Sequence, residues 1–478
     1  GYFKEIDFGD KGGVMTCFFG APVSFENTTD RALECIHSLR EELAQLPIGD
    51  KLQFRAGITM GTAYTGMVGG EERCQYAAVG NRVNLAARLM THADWGEILV
   101  NSEMQKSHHF TFLPKGNIRY KGIKGTVPTF KLTGRNLETM SAFDGQMVGR
   151  NKEMEALLDF AEPLFDGKPV GIAYIYGEAG IGKSRITHEL RKAIADKGRI
   201  KWIVCQADQI LRKPFNPFVY FLRNYFEQSP DVQDERQHFE RRFHDLLARL
   251  EHVKHYPEVD FISKELVRTQ SVLGALVGVN YKDSIWAQLD AKGRYQNTIQ
   301  AIVNLIVAES LVQPLVLQLE DAHWLDDNSR ELLQELTRYL GRYPIWLVVT
   351  SRFLDDGSKP KVFEQDNLAV NTIPKLEIDL NVLEPETVRQ FAEIYLKGKI
   401  SEEFFELLLR TTNSNPFYLQ QILEYFTESS LLIYENERWT IKDKNIELSG
   451  SINSILTARI DRLSHLVKET VKAAAVIG

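Results

Sequence analysis

Cysteine is scarce in this sequence, and its few cysteines lack the spacing of metal ligands or of a disulfide framework. Four occur among 478 residues, without a CxxC pair and without a neighbouring histidine cluster: Cys17, Cys35, Cys74 and Cys205. The pattern excludes a disulfide scaffold and a cysteine-rich zinc site, and it is typical of reduced thiols in a cytoplasmic protein. We therefore expect a cytoplasmic location and mostly buried thiols.

Long hydrophobic runs and an excess of positive charge are lacking too. The most apolar long window, residues 299–319, predicts no membrane span because it is interrupted by Asn304, Glu309, Gln313 and Pro314. The net charge of −7 gives no reason to expect nucleic acid as a partner. We also expect no signal peptide. Because the sequence starts without Met and stops on an apolar run, we interpret it as a fragment of a larger protein.

What the sequence does contain is an alternation of strand and helix patterns, which predicts a multidomain α/β protein with about three domains. The first part shows mixed strands and helices, at 14–19, 29–46, 52–59, 74–79 and 82–93. The middle part predicts a parallel sheet with crossover helices, from strands at 170–176, 201–206, 315–319 and 345–350 and a helix at 183–197. Mainly helical patterns occupy residues 207–311 and 375–478.

The most specific pattern is a glycine-rich phosphate loop between a strand and a helix. Residues 177–184 read Gly-Glu-Ala-Gly-Ile-Gly-Lys-Ser, which fits G-x-x-x-x-G-K-S/T. Gly177, Gly180 and Gly182 let backbone N–H groups surround phosphates, and the helix that follows presents its positive N-terminal end. Lys183 can reach the terminal phosphates, and the Ser184 hydroxyl can bind Mg²⁺. We therefore predict that ATP binds here.

A second candidate element is a buried strand that ends in two carboxylates. Residues 315–321 read Leu-Val-Leu-Gln-Leu-Glu-Asp. Glu320 and Asp321 can hold a hydrated Mg²⁺ and polarise an attacking water, which makes them candidate metal ligands and catalytic residues. The strand at 345–350 leads to Arg352, and polar groups at this end of a parallel strand face the nucleotide crevice.

Residues 147–430 resemble the signal-transduction ATPases with numerous domains, the STAND branch of the AAA+ group. Besides the phosphate loop, the resemblance rests on Glu-Asp-Ala-His-Trp-Leu-Asp at 320–326 and on Asn-Pro-Phe at 415–417, where Ser414 stands in place of the usual glycine. It also rests on Val148, Gly149 and Arg150, which resemble a segment near the nucleotide base. The resemblance implies an ATP-driven switch whose lid and winged-helix regions repack, and it allows oligomerisation through this module.

In the first 133 residues, one helix carries a polar pair. Residues 66–69, Gly-Met-Val-Gly, are interpreted as a tight turn before it. Asn84 and Arg88 are four positions apart and therefore share one helix face. An amide can hold a ribose, and a guanidinium can neutralise charge when a ribose hydroxyl attacks the α-phosphate of a triphosphate. Alone, however, such a pair is usually only a polar helix face.

Residues 1–133 resemble the class III nucleotide cyclases, through Phe-Gly-Ala-Pro at 19–22, the helix with Asn84 and Arg88, and the closing run at 120–125. The resemblance implies that Asn84 and Arg88 form the transition-state pair, that Mg²⁺ or Mn²⁺ takes part, and that a second cyclase half completes the active site. Asp10 is the nearest candidate for a metal-binding aspartate. Ala77 stands at the base-selecting position, so ATP and GTP both remain open at this site.

These observations predict a partial, ferredoxin-like cyclase domain at 1–133, a linker at 134–147, a P-loop ATPase domain at 148–370, a helical lid at 371–440 and the start of a winged helix at 441–478. A cyclase followed by a STAND ATPase is the order of the soluble adenylyl cyclases. Three functions are considered, and we favour the first. The first is part of an adenylate cyclase regulated by the ATPase module. The second is an ATP-driven signalling switch with a degenerate cyclase domain, and the third is a plain ATPase with a structural N-terminal domain.

Overall fold

The structure is a computed structural model whose chain divides into two compact units between residues 142 and 143. It describes residues 2–9, 12–20, 28–45, 53–61, 63–70, 73–105, 107, 110–123, 125–135, 147–207, 214–227, 235–253, 256–354, 356–360, 362–363, 372–428 and 430–442. The predicted linker and the predicted start of a winged helix lie almost wholly outside these ranges, and so does Asp10.

The first unit combines short strands with helices. Its strands are β1 (Tyr2–Gly9), β2 (Gly12–Phe18), β3 (Ala56–Ile58), β4 (Tyr64–Gly70), β5 (Arg73–Val79), β6 (Ile98–Asn101), β7 (Phe110–Ile118) and β8 (Val127–Arg135). Its helices are α1 (Thr28–Gln45), α2 (Asn81–His92) and α3 (Ser102–Gln105). Strands β3, β6, β8 and β7 form one sheet in that order, whereas β1 with β2 and β4 with β5 form antiparallel pairs.

Strand β6 contributes alternate side chains to two hydrophobic clusters of the first unit. Ile98 and Val100 pack in one cluster with Leu33 of α1, whereas Leu99 between them packs with α2. Successive side chains of a strand point to opposite faces of a sheet, so α1 and α2 lie on opposite faces. The sheet therefore positions α2, which carries the predicted polar pair.

Most elements predicted for the first unit are confirmed, with two differences. The strand predicted at 52–59 is only Ala56–Ile58. The interpretation of residues 66–69 as a tight turn is wrong, because they lie inside β4, where Gly66 pairs with Ala77 and Gly69 with Cys74. Glycine has a weak intrinsic preference for strands, and here the antiparallel ladder to β5 outweighs it.

The second unit is built on a five-stranded sheet whose neighbouring strands all run parallel. Its strands are β9 (Gly171–Gly177), β10 (Lys201–Gln206), β11 (Leu315–Glu320), β12 (Ile345–Ser351) and β13 (Lys375–Leu380), in the order β10, β11, β12, β9, β13. Both faces are covered, since along β11 Leu315 and Leu317 enter one hydrophobic cluster and Val316 enters the other. The predicted parallel sheet is confirmed.

Helices cover the sheet and extend beyond it. They are α4 (Asn151–Phe165), α5 (Lys183–Ala195), α6 (Asn216–Tyr225), α7 (Glu235–Glu251), α8 (Val259–Leu276), α9 (Ile285–Gln288), α10 (Ala291–Val312), α11 (Asp327–Leu340), α12 (Pro385–Leu396), α13 (Glu402–Thr412) and α14 (Pro416–Glu428). Helices α6 to α10 confirm the mainly helical prediction for 207–311. Within the residues described, no helix is both long and apolar enough to cross a membrane.

One expectation fails in the second unit. The helical pattern expected from residue 375 onward is wrong at β13, which pairs with β9 as a sheet edge, and at the short strands β14 (Lys399–Ile400), β15 (Leu432–Glu435) and β16 (Arg438–Ile441). Residues 375–380 read Lys-Leu-Glu-Ile-Asp-Leu, a strict alternation that favours a strand. They belong to the sheet and not to the helical lid.

The expectation of mostly buried thiols is also wrong for the cysteines whose exposure is described. Cys205 is buried on β10, but Cys17 is half-buried and Cys35 is exposed. Cys35 directly follows the buried Leu33 and Glu34 on α1, but it lies outside the helix face that packs against the sheet. A thiol is small enough to be tolerated at such an exposed helical position.

Candidate functional site

The phosphate loop connects a fully buried strand to an amphipathic helix. All seven residues of β9 are buried, so the strand fixes where the loop starts. Gly180 and Gly182 have φ angles of 73° and 103°, in the left-handed region that residues with side chains rarely adopt. The chain thereby turns sharply into α5, which begins at Lys183.

The side chain of Lys183 lies inside the curl of this loop. Lys183 is 8% exposed, and its Nζ donates hydrogen bonds of 2.8 Å and 2.9 Å to the carbonyl oxygens of Gly177 and Glu178. Burial lowers the pKa of Lys183 to about 8, although the carboxylate of Asp321 acts in the opposite direction. The loop therefore surrounds an ammonium group that is poorly solvated and available to a phosphate.

Ser184 and Glu320 bring the loop and the acidic strand together. The Ser184 hydroxyl donates to Glu320 Oε1 at 2.5 Å, joining residues that are 136 positions apart in the sequence. Glu320 is buried at the end of β11. Asp321 follows with a φ of 55°, and its backbone N–H donates to the Thr350 hydroxyl at 3.2 Å. Glu320 and Asp321 therefore lie at the same edge of the sheet as the loop.

Arg352 and His323 extend this cluster of charged and polar groups. The backbone N–H of Arg352, just after β12, donates to His323 Nδ1 at 3.4 Å. Burial, together with the positive charges of Arg352 and Lys183, lowers the pKa of His323 to about 3. The imidazole is therefore neutral at neutral pH, and it joins the residues after β11 to those after β12.

The predicted base-binding segment lies against the same loop. Arg150 has a φ of 66° and directly precedes α4, with Val148 and Gly149 before it. Its guanidinium pairs with Glu153 at 3.1 Å, donates to the carbonyl of Ile181 in the phosphate loop at 3.4 Å, and also donates to the carbonyl of Asn381 after β13. Arg150 thus ties this segment to both the loop and the sheet edge.

The lid motif contacts the loop as well. Asn415 Nδ2 donates to the carbonyl of Ala179 at 3.1 Å, and the backbone N–H of Phe417 donates to the carbonyl of Gly180 at 3.3 Å. The structure therefore brings together four of the segments singled out from the sequence: 148–150, 177–184, 320–321 and 415–417.

This arrangement fits a nucleoside triphosphate with a divalent metal ion. The N-terminus of α5 and the Lys183 ammonium suit phosphate oxygens. The Ser184 hydroxyl and the Glu320 carboxylate supply the oxygen ligands that Mg²⁺ prefers when it is bound together with phosphates. Among the residues described, no group of three or more His, Cys, Asp or Glu side chains is placed as a metal cluster.

In the first unit, Asn84 and Arg88 lie on the exposed side of α2. The opposite side of the helix buries Leu85 and Leu89 against the sheet. Both polar side chains are therefore exposed, and they lie one helical turn apart on the same face, as the sequence predicts. Ala77 is buried in β5, opposite Gly66 of β4, and its methyl group offers no hydrogen bond to a base.

Gly57 explains how closely α2 lies on the sheet. A Cβ atom at Gly57 of β3 would stand 2.2 Å from the carbonyl oxygen of Ala86 and 2.3 Å from the nitrogen of Met90, both in the backbone of α2. Backbone thus packs on backbone at this point. The position of the helix that carries Asn84 and Arg88 depends on the missing side chain.

Two residues near the phosphate loop were not singled out from the sequence. His323 lies within the acidic run at 320–326, but the sequence assigns it no role of its own. No local pattern reveals its contact with Arg352. Asp326 accepts hydrogen bonds from the N–H groups of Ser329 at 3.0 Å and Phe215 at 3.2 Å, and so begins α11 and fixes the loop before α6. An aspartate three residues before a serine, ahead of a leucine-rich helix, is a recognisable N-cap signal.

Two family models match separate parts of the chain. Residues 16–134 match the family model for the adenylate and guanylate cyclase catalytic domain, and residues 146–349 match that for the AAA ATPase domain. The chain therefore contains a segment that matches the adenylate and guanylate cyclase catalytic domain, followed by a segment that matches the AAA ATPase domain and includes the phosphate loop.

Three curated proteins are similar to this chain, two of them over most of its length and one over about a quarter of it. Human adenylate cyclase type 10 is 21% identical over 499 residues, covering 95% of this chain and 28% of that protein. An uncharacterized protein of Rhizobium meliloti (strain 1021) is 23% identical over 442 residues, covering 90% and 40%. Adenylate cyclase 1 of the same organism is 31% identical over 133 residues, covering 26% and 20%. The chain thus spans less than half the length of these relatives.

Proposed function

We propose that this chain is part of a cytoplasmic signalling protein that converts ATP to cyclic AMP and pyrophosphate, with a STAND-type ATPase module that regulates the cyclase. The observation that carries the proposal is the tandem of a cyclase domain at 16–134 and an ATPase domain at 146–349. The similarity to human adenylate cyclase type 10 extends over 95% of the chain and so includes both domains.

In the cyclase reaction, a ribose hydroxyl attacks the α-phosphorus, the bond from that phosphorus to the pyrophosphate oxygen breaks, and the hydroxyl proton is released. Arg88 neutralises the charge that develops on the phosphate in the transition state, and Asn84 holds the ribose. Their exposure on α2 suits a site completed by a second cyclase half. That half would supply ligands for Mg²⁺ or Mn²⁺, and Asp10 remains a candidate ligand.

In the ATPase module, the phosphate loop binds ATP. Lys183 contacts the terminal phosphates. Ser184 and Glu320 would hold Mg²⁺, which would neutralise phosphate charge. Asp321 lies beside them and orients the attacking water. Arg352, whose charge contributes to the lowered pKa of Lys183, stabilises negative charge on the phosphates.

A second function is favoured by one observation. Ala77 occupies the base-selecting position with a buried methyl group, which cannot distinguish bases by hydrogen bonding. A cyclase domain of this kind would be catalytically degenerate. The protein would then act as a signalling switch, whose signal is the ATP-driven motion of the lid.

The deciding experiment is chromatography of the products formed from ATP with Mg²⁺ or Mn²⁺. We expect cyclic AMP when a second cyclase half is present, and ADP from the ATPase module. Lys183→Ala should remove the ADP, and Arg88→Ala should remove the cyclic AMP. ADP without cyclic AMP, even with an intact second half, would overturn the cyclase assignment in favour of the switch.

A further inference from the structure

A series of hydrogen bonds runs from strand β10, across β11, to the first turns of α5. Trp202 Nε1 of β10 donates to Gln318 Oε1 of β11 at 2.8 Å. Gln318 Nε2 donates to the Thr187 hydroxyl of α5 at 3.3 Å, and that hydroxyl donates to the carbonyl oxygen of Ser184 at 3.1 Å. We call these linked groups the Gln318 network. It ends on the backbone of the last residue of the phosphate loop.

The direction of each hydrogen bond in the Gln318 network follows from the first donor. An indole N–H can only donate, so the Gln318 amide turns its oxygen to Trp202 and its NH₂ group to Thr187. The Thr187 hydroxyl then accepts from this amide, and its own proton is directed to the Ser184 carbonyl. Hydrogen bonds that are aligned in this way polarise and strengthen one another.

Packing alone does not call for polar groups at these two positions. Gln318 and Thr187 are 6% and 2% exposed, and the same face of β11 contributes Val316 to an apolar cluster. A buried amide or hydroxyl costs free energy unless it is hydrogen-bonded. Apolar contacts have no preferred direction, whereas hydrogen bonds restrict both distance and angle. The Gln318 network therefore fixes how α5 is oriented on the sheet more closely than apolar residues would.

The same face of β11 also holds the Ser184 side chain. Gln318 and Glu320 are two positions apart on the strand, so they point to one face of the sheet. Glu320 Oε1 accepts from the Ser184 hydroxyl at 2.5 Å. Ser184 is thus held at its hydroxyl by Glu320, and at its carbonyl by the Gln318 network through Thr187.

We propose that Gln318 and Thr187 are positioning residues, which hold the Ser184 hydroxyl in place for the Mg²⁺ that accompanies ATP. The inference rests on the proposed ATP binding at the phosphate loop and adds to it which groups outside the loop set the geometry of the metal ligands. Lys183 is held separately, by carbonyl oxygens of the loop itself. Loss of the Gln318 network should therefore weaken the contribution of Mg²⁺ to ATP binding, and leave the binding of metal-free ATP almost unchanged.

The sharpest test compares Thr187→Val with Thr187→Ser. Valine keeps the shape of threonine and removes the hydroxyl, whereas serine keeps the hydroxyl and removes a methyl group. Calorimetric titration with a non-hydrolysable ATP analogue, once with Mg²⁺ and once with EDTA, gives two affinities, and their ratio measures the contribution of the metal. We expect Thr187→Val to lower this ratio about fivefold to thirtyfold, and Thr187→Ser to lower it less than about twofold.

This comparison separates positioning from packing. If Thr187 only filled space, the serine variant would be the more damaging one, because it alone leaves a cavity. Both affinities come from one preparation, so a general loss of stability cancels in their ratio. A fall in Thr187→Ser as large as that in Thr187→Val would overturn the proposal.

Thr337→Val is the matched control at a different place. Thr337 of α11 is as buried as Thr187, and its hydroxyl also donates to a carbonyl three residues earlier in its helix. We expect Thr337→Val to change the ratio less than about twofold, because its hydrogen bond lies outside the Gln318 network. A fall equal to that in Thr187→Val would show that any buried threonine has this effect, and would overturn the proposal.

Gln318→Met tests the middle of the Gln318 network with a side chain of similar length. We expect the same fall in the ratio as in Thr187→Val, and no further fall when both changes are combined, because both interrupt one network. Losses that multiply in the double variant, or a ratio that neither single variant changes, would overturn the proposal. Binding of the analogue that Lys183→Ala does not reduce would instead refute the proposed ATP site itself.

Discussion

At the scale of single residues, Lys183 is the group on which nucleotide binding at the phosphate loop most depends. We predict that Lys183→Ala weakens ATP binding by about 2–4 kcal/mol, because a buried ammonium that contacts phosphate is lost. Lys192→Ala is the matched control, since Lys192 lies on the same helix with its side chain 56% exposed. Calorimetric titration with ATP measures both. Unchanged affinity in Lys183→Ala would refute the assignment of the loop.

Arg88 is the corresponding residue of the cyclase unit. In a preparation that contains a second cyclase half, we predict that Arg88→Ala lowers the rate of cyclic AMP formation by about 10²–10³-fold, because charge in the transition state is no longer neutralised. Arg119→Ala is the control, since Arg119 is an exposed arginine outside α2. Equal initial rates for Arg88→Ala and the wild type would remove Arg88 from the mechanism.

At the scale of secondary-structure elements, the contact between α2 and β3 depends on Gly57. A Cβ atom there would stand 2.2 Å from the Ala86 carbonyl oxygen, so helix and strand must separate. We predict that Gly57→Ala lowers the free energy of unfolding of the first unit by about 1–3 kcal/mol, as overpacking of a core does. Urea denaturation measures this change. Gly66→Ala is the control, because nothing lies within 4 Å of the added atom, and an equal loss there would contradict the argument.

Charged side chains connect helix α1 to β8, and a buried histidine among them predicts that the stability of the first unit depends on pH. Glu34 of α1 forms an ion pair with Arg135, and Arg40 donates to the carbonyl of Thr133 at 3.0 Å. His37 lies between them. Burial, followed by the positive charges of Arg135 and Arg40, lowers the pKa of His37 to about 4, whereas the carboxylate of Glu34 acts in the opposite direction.

The sign of the effect follows from the lowered pKa. In the unfolded chain a histidine has a pKa of about 6.5, so between about pH 6.5 and pH 4 the unfolded state binds a proton that the folded state does not. Acidification through this window should lower the free energy of unfolding by at most about 3 kcal/mol. Urea denaturation at several pH values should show that His37→Gln reduces this slope and that His92→Gln, at an exposed position, does not. An unchanged slope in His37→Gln would contradict the prediction.

At the scale of the whole molecule, the two proposed sites lie in separate units. If the ATPase module regulates the cyclase, replacing Lys183 should also change the rate of cyclic AMP formation, through a conformational equilibrium that both units share. We predict that Lys183→Ala changes the rate of cyclic AMP formation by fivefold or more in the longer protein, whereas Arg88→Ala changes ADP formation by less than twofold. The two products, separated by chromatography, are the measurement. A cyclic AMP rate unaffected by Lys183→Ala would exclude regulation by the ATPase module.

The sequence by itself determined the elements whose physics is local. The phosphate loop requires glycines, a lysine and a serine at fixed spacing between a strand and a helix, and all of these are neighbours in the chain. The alternation of strand and helix likewise predicted a parallel sheet, because parallel neighbouring strands need a crossover connection and a helix between them supplies it. Strand β13 could also have been predicted, because residues 375–380 alternate between polar and apolar side chains, a pattern that favours a strand. The helical pattern of the residues that follow hides this short segment.

The tertiary structure alone decided which distant groups meet. Ser184 and Glu320 are 136 positions apart, and Asn415 and Ala179 are 236 positions apart. Residue type and periodicity specify which face of an element is buried, but not which other element covers it. That choice depends on strand order and on close packing, as at Gly57, where one absent methyl group lets a helix rest on a sheet. The contact of the lid with the phosphate loop could therefore be recognised only from the tertiary structure.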